Sequence, residues 1–318
     1  MNKTFFSQNF NEIPNEAITE MDSIFSNGKK VLIKLHFGEP GNPYAFLPQD
    51  IKYITDYFKK KNIAVTLFDT PVAYNSPRNT VEGYNKVAEE RGYAELGNIL
   101  ISDELKDIKM KDYTVQVAKP IVEAEMVLVI SRVKGHYCGG FGGAIKNLAM
   151  GGVTKKSKAD QHKLGAPKWI AECQGCGLCA RECPAKTIKM ENGKANINHD
   201  GCWGCSICEI NCPHHCLAPE VAYFDDLMGQ ATSALINNMS KKIYYINIIK
   251  NVCEFCDCES NPGKLIAPDI GVVYGSSAVA VDRETLTLIN QKTGEDPFLF
   301  ANHKDPNLQI DYTEKYLE

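Results

Sequence analysis

A chain of 318 residues that is 44% hydrophobic and carries a formal charge of −4 has apolar material for a full globular core, in one large domain or two. Its charges are dispersed, with only short basic runs such as Lys59-Lys60-Lys61 and Lys155-Lys156, which excludes a phosphate-neutralising face and with it nucleic acid as a partner. No window approaches the roughly 18 to 20 unbroken apolar residues of a membrane span, and the opening MNKTFFSQNF lacks the apolar core of a secretory signal, so a cytoplasmic protein with no membrane partner is expected.

Residues 29–37, KKVLIKLHF, read as a buried strand, and 48–62, PQDIKYITDYFKKKN, as a helix whose apolar positions Ile51, Ile54, Tyr57 and Phe58 recur at helical spacing. IAVTLFDT, residues 63–70, is a second strand, and strand, helix, strand is the order of a parallel sheet with covering helices. A helix from about Asn79 to Arg91, a strand at Met126–Val133 and a short helical stretch at GAIKNLAM, residues 143–150, continue the pattern. From Cys173 to Cys216 cysteine, glycine and proline dominate and no apolar period survives. Helix, strand, strand and helix follow at 221–239, 241–250, 269–275 and 276–291. The expected fold class is α/β: a mostly parallel sheet covered by helices, built from residues 1–165 and 217–318, with a cysteine-rich module inserted at 166–216.

Thirteen cysteines, most of them in tight clusters, do not space like a disulfide framework, and in a reducing compartment clustered thiols point to metal. CQGCGLCARECP, residues 173–184, and CWGCSICEINCP, residues 202–213, both read CxxCxxCxxxCP, the pattern of a bacterial-type two-cluster ferredoxin. Two-residue gaps let three thiolates converge on one cubane, while the fourth cysteine, fixed by proline, serves the other cluster. Cys173, Cys176, Cys179 and Cys212 are thus expected to hold one [4Fe–4S] cluster, and Cys202, Cys205, Cys208 and Cys183 the second. Zinc, which takes four thiolates from paired CxxC units, would leave cysteines over in both motifs.

In an open parallel sheet, ligands bind outside the carboxyl ends of the strands. There the chain carries two KxH pairs, Lys34 with His36 and Lys134 with His136. Residues two apart on a strand share a face, so each pair is expected to project into one crevice. The strand from Ile63 ends at Asp69-Thr70, and the strand from Ile243 runs into a third cysteine group, Cys253, Cys256 and Cys258. That trio is one ligand short of a closed zinc site, with His36, His136 and Cys138 as candidates for the fourth. Three readings stand open: a catalytic metal or third iron–sulfur centre with a free position, a closed structural zinc, or a redox-active CxxC pair without metal. YCGGFGGAIKNLAMGG, residues 137–152, departs from the Walker and dinucleotide patterns and is read as an anion-accepting loop and helix start that carries Lys146 and Asn147 toward substrate.

KLHFGE at 34–39, KGH and GGFGGAIKNLAMG around Lys134 to Gly151, Gln161-His162 ahead of the cysteine motifs, and CDC followed by PDIGVVYGSSAVAVD, Pro268 to Asp282, together resemble the iron–sulfur-centre proteins of the domain of unknown function 362 family. The resemblance spans nearly the whole chain. It implies a shared α/β fold around a ferredoxin insert, with no activity attached. Ser277-Ala278 stands where such proteins tend to read Asp-Pro. The function expected from these residues is that of a redox enzyme. An external electron donor or acceptor would exchange electrons, through the two clusters, with a crevice where Lys34, His36, Lys134, His136, Lys146 and Asn147 bind or protonate an anionic small molecule. The alternatives are an electron carrier or adaptor without catalysis of its own, and a scaffold for metallocofactor assembly with the CDC group as its delivery site.

Overall fold

Seven strands make the central sheet of the computed structural model, which describes residues 3–317. In chain order they are β1 (Thr4–Ser7), β2 (Lys30–Lys34), β3 (Ala64–Asp69), β4 (Asn98–Ile101), β5 (Met126–Arg132), β6 (Ile243–Ile249) and β7 (Gly271–Gly275). In space they run β1-β7-β6-β5-β2-β3-β4. The five strands from β6 to β4 pair in parallel, and β7 and β1 extend one edge antiparallel. The sheet is therefore mostly parallel, as the alternation of strand and helix in the sequence implies.

β-Branched and aromatic residues dominate β6 and aliphatic residues most of β5, and every residue of both strands is buried because helices cover both faces of the sheet. Alternate side chains enter opposite layers. Leu32 packs with Val127 and Val129 beneath the helices Ala144–Gly151, Phe224–Asn238 and Ala278–Thr293. Val31 and Ile33 pack with Leu128 and Ile130 beneath Asn15–Ile24, Pro48–Lys60 and Val81–Glu90. The helix at Pro48 starts with a proline in its first turn, and the Asp50 carboxylate accepts the Leu47 N–H at 2.8 Å. Ser277 caps the helix from Ala278, accepting the Ala280 N–H at 3.3 Å, which gives that serine a local structural role. Among the described residues no helix is long and apolar enough to cross a membrane.

Residues 167–219 leave and rejoin this body through two paired antiparallel strands, Pro167–Trp169 and Leu217–Pro219. Between them lie two short helices, Leu178–Glu182 and Ile207–Ile210, and a hairpin of Ile188–Glu191 with Lys194–Ile197. Ile188, Ala195, Ile197 and Leu217 pack with Cys179, Cys183 and Cys208 into a small core of their own. This segment meets the helix Lys155–Leu164 by direct backbone contact. Gly204 has a φ of +56°, and a methyl group there would overlap the carbonyl oxygen of His162. Gly204→Ala is accordingly expected to destabilise the protein by about 3 kcal/mol or more, because both partners are main chain and the left-handed conformation is itself strained by a side chain. Urea unfolding midpoints of the two proteins test this, and a loss below about 1 kcal/mol would contradict it.

Candidate functional site

The strand order changes direction between β2 and β5, since the chain runs from β2 outward through β3 to β4 on one side and from β5 outward to β6 on the other. A crevice opens at such a switch point. β2 stops at Lys34 and β5 at Arg132. His36 therefore lies in the loop beyond its strand, and Lys134 and His136 form a separate short strand that pairs with Gly140–Gly142. A shared strand face is thus not what gathers the two KxH pairs. Loop and hairpin do it, and His36, Lys134, His136, Lys146 and Asn147 line one cavity of about 1420 Å³. Lys34 sits fully buried beneath the site, its ammonium 3.0 Å from Asp69 Oδ1 and donating to Asn147 Oδ1 at 2.6 Å.

The His36 ring is held at both nitrogens, with Arg78 Nη1 3.0 Å from Nε2 and the Gly38 N–H 3.0 Å from Nδ1. Burial, and then the Arg78 charge, hold its pKa well below the usual histidine range. Arg78 is fully buried and donates to Glu39 at 2.9 Å through Nε. The KLHFGE motif is therefore one hydrogen-bonded unit with a partner that no motif marks. Lys134 donates to the Arg132 carbonyl at 2.7 Å and lies 3.4 Å from Asp257 Oδ2. Burial lowers its pKa and Asp257 opposes that shift. His136 Nδ1 accepts the N–H groups of Cys138 at 3.3 Å and Gly139 at 3.1 Å. Burial, then Lys146, hold His136 neutral with a pKa well below the ordinary value. Lys146 Nζ stands 3.4 Å from Cys256 Sγ, and burial with Lys134 beside it brings its pKa down to about 7.

Asn147 donates to the Ile130 carbonyl at 2.9 Å and to Ser131 Oγ at 3.1 Å while accepting from Lys34, so its hydrogen bonds go to protein and it positions the lysine beneath the cavity. Lys158, which carries no sequence signal, also lines the cavity, donating to Thr70 Oγ1 at 2.7 Å and to the Pro71 carbonyl at 2.6 Å. Burial is the largest cause that brings its pKa to about 7. The helix start after the glycine-rich loop does not stand open to an anion as expected. Asp282 fills it, accepting the Ala144 N–H at 2.8 Å and the Ile145 N–H at 2.9 Å. A carboxylate from the helix Ala278–Thr293 takes the free N–H groups that a substrate anion would have used.

The opposite wall of the cavity comes from the cysteine-rich segment, through Trp169, Cys202 and Trp203. Tyr137 bridges the two walls, stacked on Phe255 at 4.1 Å and 5.2 Å from Trp203. Cys138 is buried, and its hydrogen bond to Cys205, followed by burial, pushes its thiol pKa well up. Within the segment, Cys173, Cys176, Cys179 and Cys212 line one small cavity. Backbone N–H groups point at these sulfurs: Gly175 and Ala195 at Cys173, each at 3.4 Å, Cys216 at Cys212 at 3.4 Å, and Gly204 at Cys202 at 3.3 Å. The third cysteine group does not converge as a trio. Cys253 turns away, accepting from Arg132 Nη2 at 3.3 Å and donating to the Phe255 carbonyl at 3.1 Å. Cys256 and Cys258 are joined to each other and lie beside His136.

Fold and site together define an α/β protein whose switch-point crevice is closed by a cysteine-rich segment. The chain belongs to the family described as Domain of unknown function (DUF362), whose model matches residues 31–287. A stretch of 22 residues is 68% identical to pyruvate synthase subunit PorD of Methanothermobacter marburgensis, covering 7% of this chain and 27% of that subunit. Among solved structures, the lactate racemase apoprotein of Thermoanaerobacterium thermosaccharolyticum aligns over 91% of this chain and 58% of its own, at 13% identity and a TM-score of 0.45. A protein from Thermotoga maritima aligns over 94% and 58%, at 10% identity and a TM-score of 0.46. The chain thus spans little more than half the length of these two structures and about a quarter of the curated relative.

Proposed function

We propose that this protein is an iron–sulfur oxidoreductase, in which electrons pass one at a time between an external redox partner and an anionic small molecule held in the cavity. The observation that carries the reading is that Cys202 and Trp203 stand on the same cavity as Lys134, His136 and Lys146. Residues 166–216 act as an inserted two-cluster module, with Cys173, Cys176, Cys179 and Cys212 holding one [4Fe–4S] cluster and Cys183, Cys202, Cys205 and Cys208 the other. The sulfurs fit that role, because N–H groups aimed at Cys173, Cys202 and Cys212 favour the thiolates that iron requires. When bound, such clusters supply single electrons at low potential.

The chain's own residues do the rest. Lys134, Lys146 and Lys158 draw an anion into a cavity walled by buried groups, where charge is weakly screened. His136 stands at its edge, His36 with Arg78 shapes that edge, and Lys34, Asp69 and Asn147 brace the floor. An electron carrier needs neither this cavity nor an α/β body, which sets the carrier reading second.

Incubating the anaerobically reduced full chain with a cell-metabolite extract tests the reading, with consumption of one anionic compound expected. His36→Ala is expected to keep the iron content and visible spectrum and, by freeing Arg78 at the cavity edge, to lower turnover by about 100-fold. Undiminished turnover in a folded His36→Ala protein would remove His36 from the site. Electron transfer to a protein acceptor with no metabolite consumed would replace the enzyme reading by the carrier.

A further inference from the structure

Beside Lys146 the cavity wall carries a chemical unit that electron relay does not require. Cys256 and Cys258 form a disulfide, and their sulfurs lie with a ring nitrogen of His136 within 4.8 Å of one another. The spacing invites a metal, but His136 is arranged against one. A neutral imidazole has one lone pair and one N–H. The lone pair on Nδ1 is taken by the N–H groups of Cys138 and Gly139, so the proton sits on Nε2 and neither nitrogen is free for a cation. Metal-binding histidines show the reverse, donating their second N–H to a carbonyl or carboxylate. The surroundings agree, since Lys146 Nζ donates to Cys256 Sγ at 3.4 Å and takes up one side of that sulfur.

The same groups suit a reactive thiolate. Lys146 and the Cys258 N–H, 3.2 Å from Cys256 Sγ, stabilise negative charge on Cys256, and a ring nitrogen of His136 lies within 4.8 Å of both sulfurs. Cys258 is partly open to the cavity, whereas Cys253 is sequestered against Arg132. Electrons have a way in, because Cys202 of the inserted segment lines the same cavity as Cys256 and Cys258.

We propose that Cys256 and Cys258 are a redox-active disulfide, which gathers two electrons delivered singly through the module and passes them as a pair to an anionic sulfur electrophile in the cavity. The proposal rests on the electron-relay reading above. In the first half-reaction the Cys256–Cys258 bond breaks; two electrons come from an external low-potential one-electron donor through the module, two protons come from solvent by way of the cavity, and two thiols result. In the second, the Cys256 thiolate attacks one sulfur of a small disulfide, that S–S bond breaks and one thiolate leaves. Cys258 then displaces the other thiolate and the Cys256–Cys258 bond re-forms. The net change is one substrate disulfide, two electrons and two protons converted to two thiols. The lysines along the cavity select an anionic substrate.

The test equilibrates the anaerobic full chain in thiol–disulfide buffers of graded potential, traps it with iodoacetamide and weighs the peptide that carries both cysteines. The expected result is no label on Cys256 and Cys258 or one on each, exchanged at one midpoint, with oxidised glutathione added before trapping returning the reduced pair to the unlabelled disulfide. Reduced methyl viologen, a one-electron donor, is expected to open the pair at least about tenfold faster in the native chain than in Cys205→Ser, where relay through the module is cut. Labelling at every potential, or a metal ion lost in the Cys256→Ser, Cys258→Ser double variant, would overturn the proposal in favour of free thiols or a metal site. A normal midpoint with equal methyl viologen rates in both chains would instead overturn delivery through the module, and with it the shared premise.

Discussion

Asp257→Ala is expected to cost about 3 to 5 kcal/mol of stability, the range for removing one partner of a buried ion pair. Asp257 is 1% exposed, accepts from Arg132 Nε at 2.9 Å and lies 3.4 Å from the Lys134 ammonium. Its loss leaves two buried cations without a counter-charge. Its backbone carbonyl also receives the Glu39 N–H at 2.9 Å, so the cysteine loop and the KLHFGE loop would loosen together. Burial opposes charge on Asp257, yet Arg132 and Lys134 outweigh it and hold the carboxyl well below the usual carboxylate range. A carboxyl whose folded pKa lies below its unfolded value of about 3.9 lends stability that is complete above that value and fades as pH falls through the folded one. Urea melts of the native chain should therefore lose stability below about pH 4, and the Asp257→Ala chain should lose less over the same interval. Equal midpoints for the two proteins at pH 7 would remove the ion pair from the account.

Cys183→Ser is expected to disturb the cluster assigned to Cys202, Cys205 and Cys208, although Cys183 belongs to the other sequence motif. Burial is the largest cause that raises the thiol pKa values of Cys202 and Cys208, and Cys183 adds to it in both, whereas Cys173, Cys176 and Cys212 add to the effect of burial on Cys179. A serine oxygen is a poor substitute for a thiolate on iron, so about half of the iron should be lost and the paramagnetic signal of one cluster with it. A cluster held there would border the cavity through Cys202, so turnover is expected to fall by about 100-fold or more. Retention of both signals, or loss of the one borne by Cys173, Cys176 and Cys179, would show that the crossed assignment is wrong.

The strands β2, β3, β5 and β6 were legible as short apolar runs covered on both faces, and the helix at Pro48 by its one repeating apolar face. β1 and β4 were not, since each spans only four residues and leans on neighbours distant in sequence, β1 on β7 and β4 on β3. The lysines and histidines of the cavity could be named from strand-end position, but their surroundings could not. Arg78 reaches His36 and Glu39 from a separate loop, Lys158 arrives on a helix well beyond Thr70, and Asp257 meets Arg132 from 125 positions away. Asp282 shows the same limit most plainly, because the glycine-rich helix start looked open to an anion until a carboxylate 138 residues later closed it. Spacing also could not say that Cys253 and Cys256 part company, since the Arg132 guanidinium that draws Cys253 aside comes from β5.

Iron and acid-labile sulfide, measured together on the full chain purified without oxygen, bear most directly on the claim that this is a two-cluster redox protein. The account predicts about eight iron atoms and about eight sulfides per chain, with no further metal at Cys256 and Cys258. Zinc at full occupancy, or iron without sulfide, would contradict it.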